Sequence, residues 1–189
     1  MFDIDELISG CREALSEPEP RRATREVLER TVANPAEVGE ALRPQEGGLA
    51  VLYNAPDLTV VHAVWAPGMR LFPHDHRMWA AIAIYAGQED NAFYRRDAES
   101  RRTLVESGGK EIVTGDVLLL GDDAIHSVAN SRDRLTAAIH VYGGDFVHQP
   151  RSQWGPGPVE ERPFDMNVVN DAFAEANRAW AATRAPSTS

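Results

Sequence analysis

The sharpest chemical feature of the sequence is a pair of histidines separated by one residue, in Pro73-His74-Asp75-His76. Residues i and i+2 of a β-strand point to the same face, so His74 and His76 would project together toward one metal ion. A firm site needs a third ligand, and His126, after the turn at residues 120–124, is the best candidate. Neutral imidazole suits iron, copper, nickel and zinc. The pattern therefore predicts a histidine metal site, the alternative being two polar side chains at a strand entrance.

The counts of histidine, cysteine and lysine limit which kinds of catalytic or metal site the chain can form. The six histidines lie at positions 62, 74, 76, 126, 140 and 148, with none in the flanking parts of the chain. Cys11 is the single cysteine, which excludes an internal disulfide framework and a cysteine-based zinc site. Lys110 is the single lysine, which leaves little scope for Schiff-base chemistry.

Composition and charge exclude several classes of partner. The chain has 189 residues, of which 43% are hydrophobic and 25% charged, as in an ordinary globular domain. Its net charge of −10 disfavours binding to a nucleic-acid backbone. No apolar run is long enough for a transmembrane helix, and the acidic residues within 1–10 do not fit a signal peptide. We expect a cytoplasmic protein without membrane or nucleic-acid partners.

Helical patterns flank a region of strands. Residues 1–45 predict a first helix capped by Asp3, a second over 22–32 and a short one after Pro35, while Asp165 caps a C-terminal helix that continues through Trp180. Between them, short apolar runs predict strands at 49–53, 59–65, 78–85, 91–96, 116–120, 125–130 and 135–142. Turn residues occupy 54–57, 66–68, 86–88, 107–109 and 113–116. Many strands without intervening helices indicate a barrel or jelly roll.

These segments resemble the two signature motifs of the cupin superfamily. The first is matched by Gly68, His74, His76 and Gly87, and the second by Gly115, His126 and Asn130. The resemblance implies a mainly β protein, a cupin double-stranded β-helix (jelly-roll barrel) with N-terminal and C-terminal flanking helices. It implies one cupin domain over residues 1–189, with a helical region at 1–45, the barrel at 47–146, and a C-terminal loop and helix at 147–185.

The sequence departs from most cupins where they carry a glutamate ligand, because Ala80 and Ala81 occupy those positions. A cupin with three histidines and no glutamate resembles the cysteine dioxygenase family. Ala138-Ile-His140-Val-Tyr142 is similar to that family's Ser-x-His-x-Tyr strand, and Arg151 matches the arginine that holds the substrate carboxylate in the bacterial 3-mercaptopropionate dioxygenase branch. The likeness spans residues 58 to 182.

The resemblance implies a metal-dependent dioxygenase. Fe(II) would be held by His74, His76 and His126, although nickel, manganese or zinc could occupy such a site in preparations. A small carboxylated thiol, such as cysteine or 3-mercaptopropionate, would react with O2 to give a sulfinate. Tyr142 would hydrogen-bond the reactants, with His140 orienting its hydroxyl, and Arg151 would bind the carboxylate. The protein would act as a monomer or homodimer.

Other interpretations of the same residues stay open. Ala138 replaces the family's serine and removes an expected partner of His140, which admits a carbon–carbon dioxygenase, an isomerase, a lyase or a non-catalytic ligand-binding cupin. His140 and Tyr142 could be core residues, and Arg151 could pair with Asp145. Asp75 should face away from the metal. Four other arginines could bind an anionic substrate in place of Arg151, namely Arg70, Arg77, Arg95 and Arg96. We expect His62 and His148 to be structural residues and not catalytic ones.

Overall fold

The computed structural model describes residues 1–100, 102–156 and 160–184. Three helices come first, α1 (Ile4–Ala14), α2 (Pro20–Val32) and α3 (Pro35–Leu42), and α4 (Met166–Arg184) comes last. The strands are β1 (Gly48–Ala55), β2 (Leu58–Trp65), β3 (Arg70–Asp75), β4 (Ala80–Ala86), β5 (Gln88–Arg96), β6 (Leu104–Val113), β7 (Val117–Leu120), β8 (Ile125–Ala129), β9 (Thr136–Tyr142), β10 (Ser152–Trp154) and β11 (Glu161–Pro163).

The strands form two antiparallel sheets. The five-stranded sheet has the order β1-β2-β9-β4-β7, and the six-stranded sheet has the order β11-β10-β3-β8-β5-β6. Sequence neighbours thus alternate between the sheets along much of the chain, which is the winding of a double-stranded β-helix. The predicted mainly β fold with flanking helices is confirmed.

Local capping explains where two of the helices begin. Asp3 Oδ1 accepts hydrogen bonds from the N–H groups of Asp5 and Glu6, as an N-cap should. Asp165 accepts from Asn167 N–H at the start of α4. Both caps agree with the sequence-based prediction.

The apolar residues fall on both faces of the five-stranded sheet. One face packs against α1, α2 and α3 in a cluster that includes Leu28 and Ile139, and it also buries Cys11, whose thiol has a pKa raised to about 12 by burial. The opposite face contributes Ile82 and Tyr142 to a second cluster. This second face also carries His140, so the five-stranded sheet separates the helical layer from the candidate site.

Several predicted boundaries are wrong. Residues 78 and 79 precede β4 instead of belonging to it, and residues 107–109, predicted as a turn, lie inside β6 opposite β5. The region predicted as loop after residue 146 adds β10 and β11 to the six-stranded sheet, since β10 pairs with both β3 and β11. Residues 157–159 and 185 of that region lie outside the described residues.

None of the helices in the described part of the chain combines the length and the apolar character needed to cross a membrane.

Candidate metal centre

The register of two strands brings the three predicted ligands together. β3 and β8 run antiparallel with His74 directly opposite His126, and His76 follows the last residue of β3. One ring nitrogen from each histidine lies within 4.8 Å of the others. All three side chains are buried. Residues distant in sequence therefore form one compact cluster of imidazoles.

Hydrogen bonds at the far side of two rings orient the cluster. His74 Nδ1 donates to the backbone oxygen of Phe72 at 3.1 Å, and His126 Nδ1 donates to Asn91 Oδ1 at 2.7 Å. Because the Nδ1 atoms carry the hydrogens, the Nε2 atoms present lone pairs. Nε2 of His126 lies 3.4 Å from Nε2 of His76. The cluster thus offers lone pairs at the point where the rings meet.

Burial keeps these imidazoles neutral. Desolvation lowers the pKa of His74 to about 4, and it lowers the pKa of His76 and of His126 well below the usual value. Repulsion among the three rings lowers the pKa of His76 and His126 further. Neutral imidazoles with converging lone pairs fit a divalent first-row transition metal. The cluster could therefore hold such an ion, and imidazole ligands alone do not select among these metals.

Two alanines stand where the cupin motif would place a glutamate ligand. Ala80 and Ala81 lie in β4, fully buried, and pair across the ladder with Tyr142 and Val141. Among the described residues, the only group of His, Cys, Asp and Glu placed to hold a metal consists of the three histidines. A bound ion would keep its full charge, because all of its protein ligands are neutral.

A small cavity adjoins the cluster, bounded mainly by apolar side chains. Its volume is about 20 Å³, enough for about one water molecule. The walls are Leu49, Trp65, Leu71, His74, His76, His126, Val128, His140, Tyr142, Phe146, Phe164 and Val169. The three histidines thus meet a small, mostly apolar space.

Tyr142 and His140 stand across this cavity from the cluster, on β9. The Tyr142 ring lies 5.0 Å from the His76 ring and stacks on Phe146 at 4.0 Å between centroids. His140 Nδ1 is 3.1 Å from the Tyr142 hydroxyl oxygen. Burial raises the pKa of Tyr142 well above its usual value, so the phenol keeps its proton at neutral pH. Both residues face the candidate metal site, as strand alternation predicts.

Arg151 is buried behind two of the cavity walls and is not itself among the residues that line the cavity. Its guanidinium lies between two aromatic rings, 4.0 Å from the centroid of Phe146 and 3.9 Å from that of Phe164. It donates to the backbone oxygen of Phe146, while Nε has no hydrogen-bond partner among the described residues. Burial lowers its pKa to about 10, which still leaves it charged at neutral pH. Arg151 does not pair with Asp145, whose carboxylate instead contacts Asn54 and His148.

The rival arginines point elsewhere. Arg70 and Arg95 are exposed. Arg96 makes a two-pronged contact with Glu161, and Arg77 donates to Ser152 Oγ. Of the five candidate arginines, Arg151 is the one that contacts two residues of the cavity wall, Phe146 and Phe164.

The last two histidines lie outside the cluster. His62 Nε2 is 2.6 Å from the Tyr85 hydroxyl, and His148 is exposed and contacts Asp145. Neither is among the residues that line the cavity.

Sequence reasoning missed Glu89 and Asn91. Glu89 is fully buried on β5 and accepts hydrogen bonds from Trp65 Nε1 at 2.8 Å and Asn91 Nδ2 at 3.0 Å. Asn91 in turn accepts from His126. The two-residue spacing puts both side chains on one strand face, and this pattern could have identified them. Glu89 Oε2 also lies 3.5 Å from His140 Nε2.

Comparisons with known proteins concern the fold. No protein-family model matches the sequence. A protein with a double-stranded β-helix domain from Klebsiella pneumoniae is 18% identical, with a TM-score of 0.42, over 57% of this chain and 82% of that one. An RmlC-like cupin family protein from Methanocaldococcus jannaschii is 11% identical, with a TM-score of 0.45, over 55% of this chain and 84% of that one. A cupin superfamily protein from Desulfitobacterium hafniense is 15% identical, with a TM-score of 0.43, over 54% of this chain and 83% of that one. The fold assignment rests on the strand order of this chain.

Proposed function

We propose that this protein is a non-haem Fe(II)-dependent thiol dioxygenase that converts a small carboxylated thiol, of the cysteine or 3-mercaptopropionate type, to a sulfinate. One observation carries the proposal. Three neutral, buried histidines converge on a cavity that a tyrosine lines, and a buried arginine packs behind two of its aromatic walls. The overall reaction balances as R–SH plus O2 giving R–SO2H, with both oxygen atoms forming bonds to sulfur.

The ligand set suits an anionic sulfur ligand. His74, His76 and His126 would hold the iron and contribute no negative charge. A cation that keeps its full charge favours the thiolate over the thiol. When bound, Fe(II) supplies the redox chemistry between the thiolate and O2. The small, mostly apolar cavity would limit the contact of bulk water with the reacting groups.

Arg151 is the group we assign to the substrate carboxylate. The flanking rings of Phe146 and Phe164 hold its guanidinium in place, and its Nε hydrogen has no partner among the described residues. A planar guanidinium binds a carboxylate through two parallel hydrogen bonds, and burial strengthens such a contact. A substrate bridging Arg151 and the histidines would carry its carboxylate and its sulfur at opposite ends.

Tyr142 and His140 are the groups we assign to hydrogen bonding with the reactants. The Tyr142 hydroxyl stays protonated and lies against His140 Nδ1, so its orientation is fixed. Since the cavity of about 20 Å³ is smaller than a carboxylated thiol, substrate entry requires a wall residue to move. Leu49 and Phe164 are the partly exposed wall residues, and Leu49 could move without disturbing the ring contacts of Arg151.

The direct test measures oxygen uptake by the iron-loaded protein with a panel of thiols that differ in carboxylate and amine groups. We expect uptake with a carboxylated thiol, and mass spectrometry should show the product to have gained two oxygen atoms. His76→Ala should abolish uptake. His148→Ala removes an exposed histidine and should leave uptake unchanged.

Two other results would contradict the proposal. Consumption of a substrate without sulfinate would favour a different metal-dependent reaction, such as carbon–carbon cleavage, isomerisation or elimination. Retention of metal without turnover of any thiol would favour a non-catalytic binding protein.

A further inference from the structure

We propose that Glu89 is a positioning residue that fixes the direction of the hydrogen bonds on both sides of the site. Acting through His140, it would set the Tyr142 hydroxyl as an acceptor toward the cavity, and acting through Asn91 it would hold His126 as a metal ligand. The effect on Tyr142 during turnover rests on the proposed function, whereas the hydrogen-bond directions do not.

Glu89 lies where only an acceptor fits. The side chain is fully buried, and its two oxygens receive separate N–H groups, Oε2 from Trp65 and Oε1 from Asn91. The indole N–H is donor only. A buried carboxylate is costly unless it is well hydrogen-bonded, so Glu89 keeps this position through these N–H contacts.

One branch runs from Glu89 to the metal cluster. Asn91 has one amide oxygen and one amide nitrogen. Because its nitrogen donates to Glu89, its oxygen faces His126 Nδ1, at 2.7 Å. His126 must then carry its hydrogen on Nδ1 and its lone pair on Nε2. Glu89 therefore determines which nitrogen of His126 can bind a metal.

The other branch runs to Tyr142. His140 Nε2 is buried 3.5 Å from Glu89 Oε2, and it has no hydrogen-bond partner among the described residues. This separation is long for a hydrogen bond, as is common in sites without their ligands. With the hydrogen of His140 on Nε2, facing Glu89, Nδ1 is an acceptor. The Tyr142 hydroxyl then donates to His140, and its oxygen lone pairs are left for a donor in the cavity.

An amide at position 89 cannot satisfy both branches. If its oxygen faces Asn91, its NH2 group faces the Trp65 N–H and His140, and His140 must reverse its tautomer to accept. If its oxygen faces Trp65 and His140, its NH2 group faces Asn91, which must flip and present a donor to His126. Glu89→Gln keeps the size of the side chain and so tests hydrogen-bond direction with little change in packing.

The experiment uses nitrogen-15-labelled, zinc-loaded protein and long-range proton–nitrogen NMR correlations, which report the tautomer of each histidine. We expect His140 to carry its hydrogen on Nε2 in the wild type and to keep it there in Tyr142→Phe. In Glu89→Gln, either His140 should shift to the Nδ1–H form, or zinc affinity should fall by about tenfold or more, the usual cost of losing an outer partner of a ligand. Asp90→Asn removes the neighbouring carboxylate on the same strand and should change neither quantity.

Either of two findings would overturn the proposal. One is the Nδ1–H tautomer of His140 in the wild type. The other is a folded Glu89→Gln protein with both the tautomer and the zinc affinity unchanged. Both readouts are independent of oxygen uptake, so failure of the thiol dioxygenase assignment would leave them intact. Conversely, if the protein takes up oxygen with a thiol but fails the tautomer and zinc-affinity tests, the proposed function stands and the role of Glu89 does not.

Discussion

Asp75 Oδ1 accepts a hydrogen bond from the backbone N–H of Ser152 at 2.6 Å. This contact joins the residue between two candidate metal ligands to the residue that follows Arg151. Asp75 Oδ2 faces the other way, 3.5 Å from Arg77 Nε and 3.7 Å from an Arg96 nitrogen. The outer side of the histidine strand therefore anchors the segment that carries the candidate carboxylate-binding arginine.

Asp75→Ala should destabilise the protein and displace Arg151. It leaves a buried N–H on Ser152 without its acceptor, at a cost of about 1–3 kcal/mol in the free energy of unfolding. Denaturant titration checks this value. Asp57→Ala, in the exposed turn between β1 and β2, is the matched control and should shift the free energy by less than about 0.5 kcal/mol. Equal effects of the two variants would contradict the anchoring role.

Arg151→Lys should weaken binding of carboxylated thiols specifically. Lysine keeps the positive charge but lacks the planar guanidinium that packs against the two aromatic rings. It also cannot form two parallel hydrogen bonds to one carboxylate. We expect kcat/KM to fall by roughly 10- to 100-fold, the value of one charge-assisted hydrogen bond, mainly through KM. Steady-state oxygen uptake provides the measurement.

Two comparisons isolate the role of Arg151. The rate with a thiol that lacks a carboxylate should be insensitive to Arg151→Lys. Arg95→Lys, on an exposed position of β5, should leave both substrates unaffected. An equal loss for both kinds of thiol would point to a packing role for Arg151 instead of carboxylate recognition.

Asn91→Ala should lower metal affinity without removing a ligand. The substitution frees His126 Nδ1 from its acceptor, so the ring loses both its orientation and its preferred tautomer. Loss of such a partner typically costs about 10- to 100-fold in affinity. Competition titrations with zinc and a chromophoric chelator measure it. Asn54→Ala, at an exposed amide, should match the wild type, and unchanged affinity in Asn91→Ala would refute the orienting role.

The metal-free protein should lose stability as pH falls below about 6.5. Burial holds the pKa of His74 at about 4 and those of His76 and His126 lower than the unfolded value. The unfolded chain therefore binds protons that the folded chain does not, so this stability is complete above the unfolded pKa and declines as pH decreases toward the folded one. Urea unfolding at several pH values gives the free energy of unfolding as a function of pH. Its slope against pH should correspond to about one proton fewer in His76→Gln than in the wild type. An identical pH slope in the variant would contradict the claim that His76 is held neutral by burial in the folded protein.

Gly143→Ala should be more damaging than Gly144→Ala. A Cβ at position 143 would lie 2.0 Å from the Trp79 indole, whereas one at 144 would meet the flexible side chain of Met78 at 3.2 Å. Overpacking costs about 1–3 kcal/mol, because the Trp79 ring would have to shift away from the added methyl group. Thermal unfolding should rank the variants in this order. Tyr142 precedes this glycine, so Gly143→Ala should also disturb the site.

The histidine cluster could be predicted because its signal is local. The spacing of His74 and His76 and the position of His126 after a turn needed only strand geometry and the resemblance to cupin motifs. The contact of Arg151 with the cavity walls was only suggested by that resemblance, because the loop at residues 143–150 separates it from Tyr142. The geometry of that loop depends on contacts such as the one between Ser152 and Asp75.

Glu89 and β6 show what the sequence does not reveal. Glu89 lies in a polar run that reads as exposed, and its burial depends on Trp65 and His140 from the other sheet. Residues 107–109 have turn composition, yet they extend β6 because β5 offers a paired edge. In both cases the decisive partners are distant in the sequence. The spacing of Glu89 and Asn91 marks a shared strand face, but it does not show that this face is buried.

The three candidate ligands all belong to one sheet or follow directly from it, whereas Tyr142 and His140 come from the other. The candidate metal ligands and the groups that face them across the cavity are therefore carried by separate sheets. Side chains on the cavity face of β9 can be substituted without altering the spacing of the imidazoles. Such a division lets one metal-holding framework acquire new reactions by substitution on a single opposing strand, and it makes positions 138, 140 and 142 the natural targets for redesign.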